Sequence, residues 1–115
     1  AVPLEEEFDA VEEESIHFLA LVGEEPCGAA RWRQTKEGVK FERIAVLKAY
    51  RRRGIGKALM EALFKDVANA GVEGKYYLHA QIEAMPLYAS FGFAPVGERF
   101  LECEIVHQTM HHHPE

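Results

Sequence analysis

Ile55, Leu59, Leu63 and Val67 stand four residues apart, and Met60 and Phe64 widen the same stripe. That spacing predicts an amphipathic helix with one face to bury. Lys57, Glu61 and Lys65 alternate in sign on the other side, as solvated helix faces do. Gly71 fits the position just beyond the carboxyl end. Short apolar runs flank this helix, Val39–Leu47 before it and Tyr76–Ala80 after it. A strand–helix–strand unit of this kind crosses right-handedly between parallel strands. The fold class is therefore α/β: a mixed (α+β) sheet flanked by helices.

The rest of the chain supplies more strands. Ile16–Val22 is an apolar run that stops at Gly23, and it reads as a buried strand. Glu24-Glu25-Pro26 makes a turn, and Cys27–Arg33 resumes as the second arm of an antiparallel hairpin. After a turn at Lys36-Glu37-Gly38, Val39–Leu47 first alternates apolar with charged residues and then becomes wholly apolar. That pattern predicts a strand half exposed at its start and buried at its end. Glu83–Phe91 reads as a short helix with Pro86 in its first turn and Gly92 ending it. Phe93–Val96 and Glu104–Met110 are two further strands, expected to pair. Residues 1–14 read as a loop or helical turn at the domain edge, anchored by Phe8 and Val11. Neither repeat nor linker interrupts the 115 residues, so residues 1–115 read as one domain.

Composition narrows the function classes. With 48% hydrophobic and 28% charged residues, the chain has enough apolar surface to fold. No apolar run approaches the roughly 18–20 residues of a membrane span. The stretch Ala1–Glu7 has neither the basic nor the apolar segment of a secretory signal. Two cysteines, Cys27 and Cys103, make no disulfide framework, and the expected location is the cytoplasm. The net charge of −6 is unevenly spread. Residues 1–30 carry nine acids and no Lys or Arg, whereas residues 31–115 hold all 13 basic residues against 10 acids. Five of those bases fall between Lys48 and Lys57. A nucleic-acid binder needs a broad basic face, so neither nucleic acid nor membrane is an expected partner. A small, highly charged anion suits the short basic stretch better.

That stretch, Arg51-Arg52-Arg53-Gly54-Ile55-Gly56-Lys57, joins a strand to the long helix. Helix amino ends present unpaired N–H groups and a partial positive charge. Glycines at 54 and 56 admit a ligand close to the backbone, and arginines nearby add charge-assisted bonds to phosphate oxygens. The reading is a pyrophosphate cradle. It is not a Walker A loop, because Ala58 follows Lys57 and that motif's first glycine is missing. It is not a dinucleotide fingerprint either, since Leu59 stands where the third glycine belongs. The plainer alternative is a glycine-kinked basic helix start that binds nothing.

Arg51-x-x-Gly54-x-Gly56, preceded by Ile44-Ala45-Val46 and followed by Ala58-Leu59-Met60, resembles the acetyl-CoA-binding motif of the GNAT acetyltransferase superfamily. Pro86-Leu87-Tyr88-Ala89-Ser90-Phe91-Gly92-Phe93 resembles its second signature, a Tyr four residues before Gly-Phe. Leu78-His79-Ala80-Gln81 and Ile105-Val106-His107-Gln108-Thr109-Met110 resemble a narrower group of small bacterial GNAT proteins. The resemblance implies that N–H groups of Arg52, Arg53, Gly54, Ile55, Gly56 and Lys57, beside Arg51, hold the pyrophosphate of CoA. It implies that Ile44 and Val46 offer main-chain groups to the pantetheine arm, where their strand splays from the strand Tyr76–Ala80, with Ala45 between them among the cofactor-binding residues. Tyr88 would protonate the departing thiolate. Acetyl-CoA is the co-substrate, and no metal is needed. Members normally begin with a strand and one or two helices, of which only Leu4–Glu14 stands here. The domain is therefore expected to be N-terminally incomplete, with a homodimer covering the surface left open.

Several residues admit two readings. Glu42, on the strand leading to the cradle, is a candidate general base, or a solvated strand carboxylate. His79 is a second candidate base, or a hydrogen-bonded structural histidine. Cys103 has no base beside it in sequence to make it a nucleophile. His111-His112-His113 lacks the Cys or carboxylate spacing of a structural metal site and reads equally as the remains of a tag. The leading function is N-acetyl transfer from acetyl-CoA to an amine. The alternatives are a CoA-binding module without transfer activity and an interaction domain whose acidic start binds a basic partner.

Overall fold

The computed structural model of the chain describes residues 4–8 and 15–113. Eight strands form one mixed sheet among these residues. They are β1 Leu4–Phe8, β2 Ser15–Val22, β3 Glu25–Thr35, β4 Gly38–Val46, β5 Tyr76–Gln81, β6 Phe93–Pro95, β7 Phe100–Glu102 and β8 Ile105–His112. The order across the sheet is β1-β2-β3-β4-β5-β8-β6, with β7 paired to β8. Two α-helices connect the strands, α1 Ile55–Ala70 and α2 Met85–Ala89. The α/β class and the mixed sheet expected from the sequence are what the chain adopts.

The acidic start departs from expectation. It contains β1, which pairs antiparallel with β2, Leu4 opposite Ala20 and Phe8 opposite Ile16. Three consecutive glutamates hide the alternation that marks a strand, yet charge is well tolerated on a sheet edge. Val11 and the side chain of Phe8 lie outside the described residues.

Helix α1 buries Ile55, Leu59, Met60, Leu63 and Val67. At roughly 1.5–3 kcal/mol per buried side chain, this face is the helix's main hold on the sheet. Gly28 on β3 makes the close approach possible. A Cβ there would sit 2.8 Å from the Ala45 carbonyl oxygen and 3.3 Å from Ile55 and Leu59 side-chain carbons. Trp32 on β3 adds a polar tie, its Nε1–H donating to Asp66 Oδ2 at 2.8 Å. Gly71, left-handed at φ 68°, ends the helix.

Strand β4 positions the cleft. It pairs with β5 in parallel over three residue pairs only, Val39–Phe41 with Tyr76–Leu78. On its other side the register with β3 shifts, Arg31 facing Glu42 and then Ala29 facing Ala45. This bulge puts Arg43 at φ 53°. Bulges bend and twist a strand, and here β4 parts from β5 beyond Phe41. The burial expected for Val39–Leu47 is consequently inverted. Val39 and Phe41 in the alternating half are fully buried, whereas Ala45 is exposed and Leu47 is 57% exposed. The apolar half of the strand lines an opening between strands, with Ile44 and Val46 packed only on the edge of the core.

The expected helix Glu83–Phe91 is shorter, a 3₁₀ turn at Ile82–Ala84 followed by α2, with Pro86 in the first turn. Strand β7 and its turn are missing from the expectation, and β8 runs on through His111 and His112. His112 stacks on Tyr76, with ring centroids 5.6 Å apart, and lies 5.0 Å from the Phe64 ring. Both histidines are therefore sheet residues.

Burial holds His112 below the ordinary imidazole value, and the charge of His113 adds to this against an opposing hydrogen bond from the ring to the Phe91 backbone carbonyl. A depressed imidazole contributes stability that is present above its unfolded value near 6.5 and is lost as pH falls through the lower folded value. Thermal melts should therefore show a lower Tm at pH 5 than at pH 7, and His112→Phe should shrink that difference. An unchanged difference in the variant would place the pH dependence elsewhere.

Candidate active site

The parting of β4 from β5 opens a cleft of about 1100 Å³. Ligand pockets commonly reach up to about 1,000 Å³, so an extended small molecule fits. Ile44, Ala45 and Val46 line one wall, Leu87 and Tyr88 of α2 the other, and Arg51 and Gly56 close one end. Glu42 and His79 stand at the opposite end, with Glu102 and His107.

The backbone of β4 is aimed by strand geometry. Leu47 N–H donates to Cys27 O at 2.8 Å, which points it toward β3. Successive N–H groups in a strand alternate in direction, so Val46 N–H, and Ile44 N–H by the same parity, turn away from β3 into the parting. Ala45 has the opposite parity and sits in the ladder opposite Ala29, so its backbone is committed to the sheet. Ala45, expected among the cofactor-binding residues, therefore offers the cleft only its side-chain surface.

The basic turn ends in an open helix start. Gly54, left-handed at φ 77°, occupies the N-cap without a side-chain cap, and no acidic residue stands in the first turn of α1. The first helical N–H groups, those of Ile55, Gly56 and Lys57, thus lack the usual capping partner and present donors to an anion. A Cβ at Gly54 would meet nothing within 4 Å, which leaves room for a bulky group. The arginines divide their duties. Arg51 Nε donates to Val46 O at 3.2 Å, tying the turn to β4. The Arg53 guanidinium lies over the Tyr50 ring, 5.3 Å from its centroid. Arg52 takes a left-handed backbone at φ 65°, and both its side chain and that of Lys57 are exposed. Ile55 is 1% exposed, so its side chain is core and only its N–H serves the turn.

At the opposite end Glu42 is enclosed by cations. It pairs with Arg31, with Arg33 Nε at 3.0 Å and with Lys40 Nζ at 3.6 Å. Burial pushes its carboxyl up, but hydrogen bonds and charge attraction from Arg33 and Arg31 outweigh that and hold it below the ordinary carboxylate value. Such a carboxylate is a weak proton acceptor. His79 has a different setting. Its Nδ1–H donates to Glu102 Oε1 at 3.2 Å, since a carboxylate only accepts. Tyr88 is 6% exposed, edge-on to Phe93 at 6.4 Å, and burial pushes its hydroxyl up to about 12.

The structure thus brings Glu42, Ile44, Val46, Arg51, Gly56, His79 and Tyr88 to one cleft. Glu102 and His107 join them unforeseen. Both sit in the β7–β8 hairpin, whose turn residues Cys103 and Glu104 adopt φ 51° and 63°. Left-handed turns usually announce themselves by Asn or Gly, which this hairpin lacks. The one available signal was the flanking pattern, Phe100-Leu101-Glu102 against Ile105-Val106. Both cysteines are free, Cys27 buried and Cys103 exposed. No helix among the described residues is long and apolar enough to cross a membrane.

Residues 2–113 match the family model described as an acetyltransferase (GNAT) domain. The chain is 44% identical over 110 residues to YjcF, an uncharacterised N-acetyltransferase of Bacillus subtilis strain 168, covering 95% of this chain and 78% of that protein. Among solved structures, Escherichia coli ElaA superposes with a TM-score of 0.77 at 28% identity, covering 86% of this chain and 68% of that one. A GNAT family acetyltransferase from Elizabethkingia anophelis, solved with acetyl-CoA bound, shares the fold at a TM-score of 0.72 and 14% identity, over 96% and 94% of the two chains. With the match spanning nearly every residue that builds the cleft, the chain belongs to the GNAT acetyltransferase family.

Proposed function

We propose that this protein transfers the acetyl group of acetyl-CoA to an amine by direct attack. The observation that carries the reading is the uncapped start of α1 beside the parting of β4 and β5. A pyrophosphate fits the open N–H groups of Arg52–Lys57, and the pantetheine arm fits the N–H groups that Ile44 and Val46 turn into the parting. The Elizabethkingia anophelis fold relative, solved with acetyl-CoA bound, is consistent with this.

His79 Nε2 takes a proton from the ammonium form of the acceptor. The freed lone pair attacks the thioester carbonyl carbon, and Val46 N–H stabilises the oxyanion of the tetrahedral intermediate. Collapse breaks the C–S bond and the electron pair goes to sulfur, which Tyr88 O–H protonates as the charge develops; the nitrogen's second proton leaves to solvent as the amide forms, and solvent returns a proton to the Tyr88 oxygen. The products are the N-acetyl amide and CoA. Glu42, considered as a base from sequence, is better suited to holding Arg31 and Arg33 in place, because those partners lower its basicity.

The test is release of CoA thiol from acetyl-CoA in the presence of a broad amine panel, with mass spectrometry of the products. Equal amounts of thiol and acetylated amine are expected. Saturable acetyl-CoA binding with no thiol release for any amine would instead make the protein a CoA-binding module. The assembly we propose is a homodimer, supported by the apolar hairpin residues Leu101, Ile105 and Val106, which are 71%, 45% and 43% exposed. Light scattering at micromolar concentration should give the dimer mass, and a clean monomer mass would refute it.

A further inference from the structure

Glu102 has no role in the reaction as described, yet it sits between two histidines at the acceptor end of the cleft. Strands β5 and β7 both pair with β8, and their ladders meet at His107, which faces Gln81 in one and Phe100 in the other. Side chains two residues apart on a strand share a face. His79, two before Gln81, and Glu102, two after Phe100, therefore fall on the His107 side of the sheet. The contacts follow that parity. Glu102 Oε1 accepts from His79 Nδ1–H at 3.2 Å, and Oε2 lies 3.6 Å from His107 Nε2. Phe100 braces both rings, edge-on to His79 at 5.0 Å and stacked on His107 at 6.0 Å.

The hydrogen bonds fix the tautomers. Neutral imidazole carries its proton on one nitrogen and accepts at the other. A carboxylate can only accept, so His79 bonded to Glu102 bears its proton on Nδ1 and leaves the Nε2 lone pair uncommitted. His107 is fixed by a different acceptor, its Nδ1–H donating to the Ile105 carbonyl at 2.8 Å. Its Nε2 consequently faces Glu102, and that contact becomes attractive when Nε2 also carries a proton.

We propose that Glu102 is a positioning residue for acetyl transfer. It selects the His79 tautomer whose Nε2 accepts the amine proton, and its charge stabilises the imidazolium that forms. The proposal rests on the reading of His79 as the base. The proton balance is closed: the acceptor ammonium gives one proton to His79 Nε2, the nitrogen's second proton leaves through solvent as the amide forms and balances the one Tyr88 gives to sulfur, the Nδ1 proton stays on His79, and the carboxylate remains ionised. The same division of labour between carboxylate and imidazole operates in hydrolase triads. Other titratable groups at this end are otherwise engaged or placed. Glu42 is bound by Arg31, Arg33 and Lys40, Tyr77 O–H pairs with Thr35 at 2.8 Å, and Tyr88 stands on α2. Arg43, Arg51, Glu83 and Cys103 complete the charged and titratable lining of the cleft.

The test compares Glu102→Ala, Glu102→Gln and His79→Asn in the full chain. Histidine ¹⁵N spectra of the protein without ligand should show His79 protonated on Nδ1 in the wild type. Glu102→Ala should lose that preference, whereas Glu102→Gln keeps it, because the amide oxygen still accepts. In thiol release from acetyl-CoA with the fastest amine of the panel, Glu102→Ala should lower kcat about tenfold, with the acetyl-CoA KM within about twofold. Glu102→Gln should fall between Glu102→Ala and wild type. Retention of the Nδ1 proton in Glu102→Ala would overturn the proposal. So would wild-type kcat in Glu102→Ala when His79→Asn is more than tenfold slower. Wild-type kcat in His79→Asn would overturn the reading of His79 as base, and the spectra would still decide whether Glu102 sets its tautomer.

Discussion

Tyr88→Phe is expected to lower kcat by roughly 10²–10⁴-fold while leaving the acetyl-CoA dissociation constant within about twofold. The variant keeps the ring, and with it the edge-on contact to Phe93, so packing is preserved. Only the O–H donor is lost. Burial pushes this hydroxyl up to about 12, so it stays protonated across every pH at which the fold would be assayed. An alkyl thiol ionises near 8.5, and complete transfer from such a phenol to a finished thiolate would cost about 5 kcal/mol. A proton donor of this kind would act while the C–S bond is breaking, when the sulfur is gaining charge and the hydrogen bond is worth most. The sign of the shift has a consequence for pH. A raised hydroxyl keeps its proton above the ordinary value of 10, so Tyr88 produces no alkaline fall in kcat below pH 10. A Phe variant retaining more than about half of the wild-type kcat, with chemistry rate-limiting, would leave Tyr88 a packing residue.

Gly56→Val should weaken acetyl-CoA binding on the order of 100-fold. A hydrogen bond to a charged acceptor contributes roughly 1.5–3 kcal/mol, and losing two at the start of α1 gives about 3 kcal/mol, or a hundredfold at 1.4 kcal/mol per decade. Gly56 is the better position for the test because Gly54, at φ 77°, would strain any side chain whatever the space. A Cβ on Gly56 would come 3.1 Å from Leu87 Cδ2, the end of a flexible side chain that can move aside. The helix is then retained while the branched side chain fills the approach to the N–H groups. Gly56→Ala should give an intermediate loss. Calorimetric titration with acetyl-CoA reads the affinities, and circular dichroism melts verify the fold. Affinity within about threefold of wild type in a folded Gly56→Val protein would remove the cradle from the account.

The parts of the molecule legible in the sequence are those fixed by local periodicity. The stripe Ile55, Leu59, Leu63 and Val67 announces α1, and the two glycines with their arginines announce its open start. The limits of β4 and β5 followed in the same way. Tertiary effects were not legible. The bulge at Arg43 bends β4 away from β5 and turns its most apolar stretch toward a cleft, a reversal that no pattern within Val39–Leu47 could reveal. Two of the cations that surround Glu42 and hold its carboxyl below the ordinary value come from β3, eleven residues away in the case of Arg31. Glu102 reaches His79 across 23 residues, through a hairpin whose turn lacks the residues that normally mark one. Residue identity suggested His79 as a base, but its partner was set by the meeting of β5 and β7 on β8.

We propose that the first N–H groups of α1 and the parted edge of β4 together hold acetyl-CoA. Titrating acetyl-CoA into ¹⁵N-labelled protein and following each backbone amide tests it most directly. Saturable shifts are expected, largest at Gly54, Ile55, Gly56 and Lys57, with a second group at Ile44 and Val46 and little change along β1 and β2. Saturation with the largest shifts elsewhere, or no saturable shift at all, would contradict it.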